Sequence, residues 1–237
     1  MKTVMTAVVA ALMMTACTFT VGTGDKSVTM GVGTKSGEAG SSEIVTKTFD
    51  VKGFETLVCS LPADIVYEYG DPNVVITAQE GVMQHIQVIQ EEEKLTLKMD
   101  VKTLKGLKDI KVYVTSRRLS AMEFNGAVDF ECKNGIKARG DFSITANGAS
   151  DVEINGLKAD KVNVVCNGAA DVDLLELKCD EITVVVNGAA DVSLAGRTSL
   201  ADLTINGAGD MDITALQADK VLSSVHGLGS ISRKKEN

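Results

Sequence analysis

Short stretches of alternating apolar and polar residues recur along most of the chain. Val162, Val164 and Cys166 alternate with other residues, and the spacing returns at Ile182, Val184 and Val186 and at Ala201, Leu203 and Ile205. A second alternating stretch follows each time: Val152 and Ile154, Val172 and Leu174, Val192 and Leu194, Met211 and Ile213. Period-two alternation over a few residues predicts strands with one buried face. A third, shorter stretch carries one apolar and one small residue, at Leu157 and Ala159, Leu177 and Cys179, and Leu216 and Ala218. No helix-period segment interrupts these units, so the pattern predicts an all-β chain.

The strands are punctuated by a repeat. Asn-Gly-Ala-x-Asp begins at Asn125, Asn147, Asn167, Asn187 and Asn206, so successive copies lie 22, 20, 20 and 19 residues apart. A degenerate sixth copy, His226-Gly227-Leu228-Gly229-Ser230, follows 20 residues later. Two architectures can use this unit. In an antiparallel meander Asn-Gly would be a tight hairpin turn, with Asn155-Gly156 as the return. In a parallel β-helix each unit is one coil, and Asn-Gly is a corner where both residues reach positive φ at low cost. Stacking decides between them. Only in the β-helix does each Asn, Gly, Ala and Asp sit on its own counterpart, so that the amides can hydrogen-bond from coil to coil. The expected fold is a right-handed parallel β-helix of about 20 residues per coil.

Before the regular coils the period is looser. Leu61-Pro62-Ala63-Asp64-Ile65-Val66-Tyr67 aligns with the repeat if Asp64 takes the ladder position. Asp129 comes 65 residues later, which predicts about three irregular coils between the two. Gln90-Glu91-Glu92-Glu93-Lys94 reads as an acidic turn that protrudes or caps, between Ile86–Ile89 and Leu95–Leu97.

The coils Asn125–Asp212, together with Phe54-Glu55-Thr56-Leu57-Val58-Cys59-Ser60, resemble the auto-transporter adhesin head GIN domain family of Bacteroidetes-type bacteria. The likeness covers about residues 44–232. It implies a secreted or lipid-anchored β-helical domain, and it brings no catalytic residues with it.

The first seventeen residues read differently. Lys2, the apolar run Val4–Met14 and the small residues Thr15-Ala16 before Cys17 form a secretory signal pattern. Met14-Thr15-Ala16-Cys17 resembles a bacterial lipobox, with Met where Leu is usual, which makes Cys17 the expected lipid-attachment residue. From Thr18 to Ser42 the chain is rich in Gly, Ser and Thr without an apolar period, as in a flexible tether. Its r.m.s. span would be roughly 25–30 Å. The expected organisation is a leader at 1–16, a tether at 17–42, a β-helix at 43–232 with regular coils at 121–232, and a basic tail at 233–237. The expected location is the cell envelope, as an outer-membrane lipoprotein facing the periplasm or the surface.

Composition narrows the chemistry. Lys and Arg number 24 against 32 Asp and Glu, a formal charge of −8, which disfavours nucleic acid. Two histidines, no Trp and 4% aromatics argue against a His-rich metal site and a sugar-stacking platform. Cys59, Cys132, Cys166 and Cys179 remain once Cys17 is set apart. Cys132 falls in the column of Ile154, Leu174 and Leu194, and Cys166 in that of Ala146, Val186 and Ile205, so both read as small core residues rather than disulfide partners. No cofactor or metal is expected.

The candidate chemistry is the column Asp129, Asp151, Asp171, Asp191 and Asp210, beside a second acidic column at Glu131, Glu153, Asp173 and Asp212. At a coil spacing of ~4.8 Å adjacent ladder charges repel by roughly 0.9 kcal/mol in water and about 3.5 at an effective dielectric of 20. Backbone N–H bonds at each corner, bound cations or partial protonation could relieve this. The first leads, since Gly-Ala-x-Asp lacks the dense acidic loop of calcium repeats. His226 reads as a degenerate turn residue and Arg197 as a surface accommodation in the shortest repeat. The resulting expectation is a binding, adhesion or structural module, not an enzyme. Its partners would be the membrane, through the lipid, and a glycan or protein ligand, with oligomers possible. The alternative is a carbohydrate-active β-helix enzyme of lyase or hydrolase type, which would need one coil to break the ladder beside an exposed groove.

Overall fold

The structure is a computed structural model. It describes residues 36–38, 43–101 and 103–234, with 36–38 and 103–105 by their backbone alone. The expected leader, Cys17, most of the expected tether and the last three residues of the basic tail lie outside the described residues. In chain order the first elements are β1 (Ser36–Glu38), β2 (Ile44–Phe49), β3 (Thr56–Cys59), β4 (Ala63–Tyr69), β5 (Asn73–Gln79), the single helical turn α1 (Glu80–Met83), β6 (Ile86–Glu91), β7 (Lys94–Met99), β8 (Thr103–Lys105) and β9 (Lys111–Ser116). Then come β10 (Ala121–Phe124), β11 (Ala127–Cys132), β12 (Ile136–Lys137), β13 (Phe142–Ala146), β14 (Ala149–Asn155), β15 (Leu157–Lys158) and β16 (Lys161–Cys166). The last strands are long and turn corners: β17 (Ala169–Val186), β18 (Ala189–Ile205), β19 (Ala208–Val225) and finally the short β20 (Leu228–Ser232).

These elements stack as a parallel β-solenoid of about six turns with bridges about 20 residues apart. Each regular coil has three sides. The first holds the strand before Asn-Gly, where β10, β13, β16 and the second halves of β17 to β19 pair in parallel. The second holds the strand after it, where β11, β14, the first parts of β17 to β19, and β20 pair in parallel. The third is the short stretch of β12 and β15 and their counterparts. Alternation puts Val152, Ile154, Val164, Val172, Leu174, Val184, Leu194 and Leu203 inside, each at most 1% exposed. Cys132 and Cys166 are buried in the core columns that the repeat alignment gives them, and all four described cysteines are free.

The irregular region differs from the expected three intervening coils. Asp64 lies directly beside Asp129, because β4 pairs with β11 and β3 with β10. The 65 intervening residues are not stacked between them. They fold out to the opposite side, where β7 pairs in parallel with β3 and β9 with β4, so the chain adds one coil below the first before resuming above it. The remainder turns antiparallel: β6 pairs with β7, β5 with β9, and β2 with β5. Identity at Asp64 reports the column a residue occupies, not how many coils the chain spends before returning. The acidic turn sits in the β6–β7 hairpin with Glu92 at φ 52°, and Glu93 carbonyl oxygen accepts the N–H groups of Glu55 and Thr56. Ser36–Glu38, within the segment read as tether, form β1 and pair in parallel with β8.

The Asn-Gly corner differs from the expectation that both of its residues use positive φ, for neither the Asn nor the Gly residues do so. Gly126, Gly148, Gly168, Gly188 and Gly207 do not adopt positive φ. They are required because the coils approach closely there: a Cβ on Gly168 would sit 1.9 Å from the carbonyl oxygen of Gly148. Positive φ does occur at the next corner, after the Asp-bearing strand, at Gly135 (78°), Gly156 (92°) and Glu176 (53°).

Candidate functional site

The Asn corner supplies the spine of the repeated surface. Asn147 Nδ2 donates to Asn125 Oδ1 at 2.8 Å, Asn167 to Asn147 at 2.8 Å, Asn187 to Asn167 at 2.8 Å and Asn206 to Asn187 at 2.9 Å. Each amide thus acts as donor to the coil below and acceptor from the coil above. The run starts at Glu123, whose carboxylate accepts from Asn125, and it stops at Asn206. His226 occupies the next position but bonds Ser224 Oγ through Nε2 at 2.7 Å instead.

Three residues past each corner glycine a side chain points outward again, and the second side carries the acidic column. Asp64, Asp129, Asp151, Asp171 and Asp191 are neighbours in successive coils, and all are exposed. Asp210 continues the column, its backbone N–H donating to Asp191 Oδ1 at 2.9 Å. Ser230 closes it, with both N–H and hydroxyl on Asp210 Oδ1 at 2.8 Å. At the other end the neighbour of Asp64 is Lys111. The acidic row is therefore bounded by a lysine below and a serine above.

How the charge is accommodated varies along the row. Asp191 and Asp210 accept backbone N–H groups, but from the next coil rather than from their own corner, which differs from the route the sequence favours. Burial first, then the carboxylates of Asp129, Asp171 and Asp173, push the Asp151 carboxyl above its ordinary value. Burial, Asp129 and Asp109 raise that of Asp64, against the pull of Lys111. The parallel column runs Glu131, Glu153, Asp173, Ser193 and Asp212. Lys133 pairs with Glu131 at 2.7 Å, and Thr214 lowers the Asp212 carboxyl by bonding it.

The third side carries a row that the sequence reading did not single out. Lys137, Lys158, Lys178 and Arg197 are exposed neighbours in successive coils, followed by Gln217, whose side chain accepts from Arg197 at 3.2 Å. Their intervals of 21, 20 and 19 residues were available in the sequence. They are obscured there by Asp160 and Asp180, which follow two of the lysines and make this side mixed rather than basic. Arg197 lies beside the register shift of the shortest repeat, where Gly196 has φ 140°.

No coil breaks these rows to gather a reactive cluster. His85 bonds Asp100 at 2.9 Å near the first coils and His226 lies in the last, so the two described histidines stand at opposite ends. A shallow concavity of about 410 Å³ on the first side holds Asp141, Lys161 and Glu181, but Lys161 and Glu181 are bonded to each other at 2.7 Å. Among the described residues no group of His, Cys, Asp and Glu is arranged to hold a metal ion.

The family described as "Putative auto-transporter adhesin, head GIN domain" matches residues 53–174 and again 142–235. The chain belongs to this family. The two overlapping GIN domain matches reflect the repeat, since the same pattern is met twice along one stack. A putative adhesin from Bacteroides fragilis is 20% identical with a TM-score of 0.67, covering 83% of this chain and 99% of its own. A putative adhesin from Parabacteroides distasonis is 18% identical with a TM-score of 0.69, covering 83% and 84%. A third solved structure, a putative lipid binding protein from the same organism, is 16% identical with a TM-score of 0.67 and covers 85% and 100%. At these identities the likeness concerns the fold. No curated protein matches the chain. GIN domain membership points to adhesion or another binding role at the cell envelope or surface, and it attaches no catalytic function.

Proposed function

We propose that the protein is an extracytoplasmic binding or adhesion module, held at the outer membrane by a lipid on Cys17 and free of catalytic activity. The observation that carries this reading is the repetition of the ladder aspartates, unbroken from Asp64 to Asp210. An enzyme needs one place whose groups differ from their neighbours, with pKa values set apart for acid and base. Here six successive ladder aspartates face the same way, and a ligand with its own repeat would meet the same chemistry at each coil. Residues 1–16 act as the leader, 17–42 as the tether and 43–232 as the binding body. The ligand is a glycan or a protein, and the lipid-binding name of one structural neighbour adds lipid to the classes worth testing.

The test has two parts. Mass spectrometry of the purified protein should find acyl chains on Cys17, and a Cys17→Ala chain should be released from membranes. An unmodified, freely released wild type would overturn the anchor. An array of glycans, matrix proteins and lipids, probed with and without Ca2+, should find a ligand whose binding weakens when Asp151 and Asp171 are both changed to Asn. Turnover of an arrayed polysaccharide, or binding indifferent to every outward column, would overturn the binding reading.

A further inference from the structure

The last coil departs from the ones beneath it in a coordinated way. Where the others carry Asn, Ala, Asp and a second carboxylate or Ser, it carries His226, Leu228, Ser230 and Ser232. Between Lys220 and Arg233 no residue bears a formal charge at neutral pH. Three of the five large apolar side chains most exposed among the described residues lie within this stretch: Leu222 at 42%, Val225 at 43% and Leu228 at 84%. The strand β20 pairs with β19 on one edge, and among the described residues nothing pairs with its other edge. An unguarded strand edge with free N–H and C=O groups is a template for another strand.

We propose that this end is the contact between two copies of the chain, which join through their β20 strands, antiparallel, about a two-fold axis at Ser230. The charge pattern selects a second copy as the occupant. At −8 overall, two copies repel wherever their acidic columns meet. The ladder column is charged in every coil from Asp64 to Asp210 and loses its charge only at Ser230, in the coil where copy would face copy. Antiparallel pairing centred on residue 230 sets Ser230 against Ser230, and an aspartate there would face itself at roughly 4.5–5.5 Å. The same pairing sets Leu228 beside Ser232 of the other copy, close to its Arg233, and covers the open cross-section at Val225 and Ile231. The opposite end is covered by antiparallel β2, β5 and β6, and its outermost strands β2 and β6 carry the exposed charges Lys47 and Glu91, which guard their edges as nothing guards β20. A contact that uses the same patch on both copies gives a closed dimer, not a filament.

The experiment is disulfide trapping in the full chain, in expressing cells and after detergent extraction. Ser230→Cys places two thiols on the axis, within the Cα spacing of about 4.4–6.8 Å that a disulfide tolerates. Mild oxidation should give a dimer band on a non-reducing gel. Neither the parent chain nor Glu153→Cys, exposed in the middle of the stack, should give it. Adding Leu228→Lys to Ser230→Cys sets a lysine near the other copy's Arg233 and should cut the dimer band by roughly five-fold or more. Its circular dichroism should stay unchanged, since Leu228 is 84% exposed. A Ser230→Cys chain that links no better than Glu153→Cys overturns the proposal, as does a band that Leu228→Lys leaves intact. Linkage to a different protein also overturns it and assigns the edge to a foreign chain.

Discussion

The two ends of the solenoid solve the same problem in opposite ways. At the first end the chain folds back on itself: β5 covers the edge of β9, β2 covers β5, and β6 covers β7. The helical turn α1 closes over the core with Val82 and Met83 buried. Leu95, Leu97, Val112 and Val114 in the lowest coil are therefore as buried as residues in the middle, at most 2% exposed. At the last end Val221, Val225 and Ile231 occupy the equivalent inward positions with neighbours on one side only. An inward position in a solenoid is a core position only if something lies both above and below it, and the alternation of the chain does not carry that information.

The largest expected effect separates the ends directly. Val112→Asp and Val184→Asp should each cost several kcal/mol, on the order of a buried unpaired charge. Val225→Asp, equally inward in pattern, should cost less than about 1 kcal/mol when placed in a Leu228→Lys chain, whose last coil stays uncovered. Urea denaturation followed by circular dichroism measures all three, and a Val225→Asp penalty equal to that at Val112 would mean that the last coil is covered.

The corner glycines sharpen the same contrast. Gly168→Ala drives a Cβ to 1.9 Å from the Gly148 carbonyl oxygen, between two fixed coils. A loss of about 2–4 kcal/mol is expected, comparable to severe overpacking. Gly227→Ala meets Gly207 oxygen at 1.8 Å, but its coil can lift away, so the loss should be smaller. Gly53→Ala, with nothing nearer than 4.0 Å, should be close to neutral. If thermal melting ranks these three otherwise, close stacking is not what the corner requires of glycine.

At the second corner the sign reverses. Glu176 holds φ 53° where the equivalent Gly156 is at 92°, and a side chain there costs roughly 1–2 kcal/mol. Glu176→Gly should therefore stabilise by up to about 1 kcal/mol, once the added flexibility of the unfolded chain is deducted. A destabilised Glu176→Gly protein would show that the side chain contributes more than its backbone strain removes.

The smallest effect is electrostatic. The Asp151 carboxyl is raised in the folded state, so the fold takes up its proton before the unfolded chain does. The cost of its charge is present at neutral pH and is relieved as pH falls towards the ordinary carboxylate value of about 4. Melting temperature should rise slightly on mild acidification, and Asp151→Asn should flatten that rise by removing the titrating group. Asp212, held below its ordinary value, acts in the opposite direction at lower pH. A melting temperature unchanged by Asp151→Asn across that range would assign the pH response to other groups.

Much of this was legible in residue order because a solenoid converts sequence period into spatial neighbourhood. The intervals between the Asn-Gly-Ala-x-Asp copies were enough to give coil length, parallel stacking, the inward columns of Cys132 and Cys166, and the alignment of Asp64 with the acidic row. Columns hidden by interleaved opposite charges, such as Lys137, Lys158, Lys178 and Arg197, were equally periodic but gave no such visible motif. The tertiary structure decided matters that depend on distances between coils and on what covers an edge. It put Asp64 against Asp129 despite 65 intervening residues, since the register of a strand is fixed by its partner and not by the chain between. It moved the need for glycine at the Asn corner from backbone angle to a 1.9–2.0 Å approach between carbonyl and Cβ in the central coils, which no local propensity encodes. It also made one end closed and the other open, because repetition specifies how coils follow one another, while termination depends on which strands fold back to occupy the last hydrogen-bonding edge.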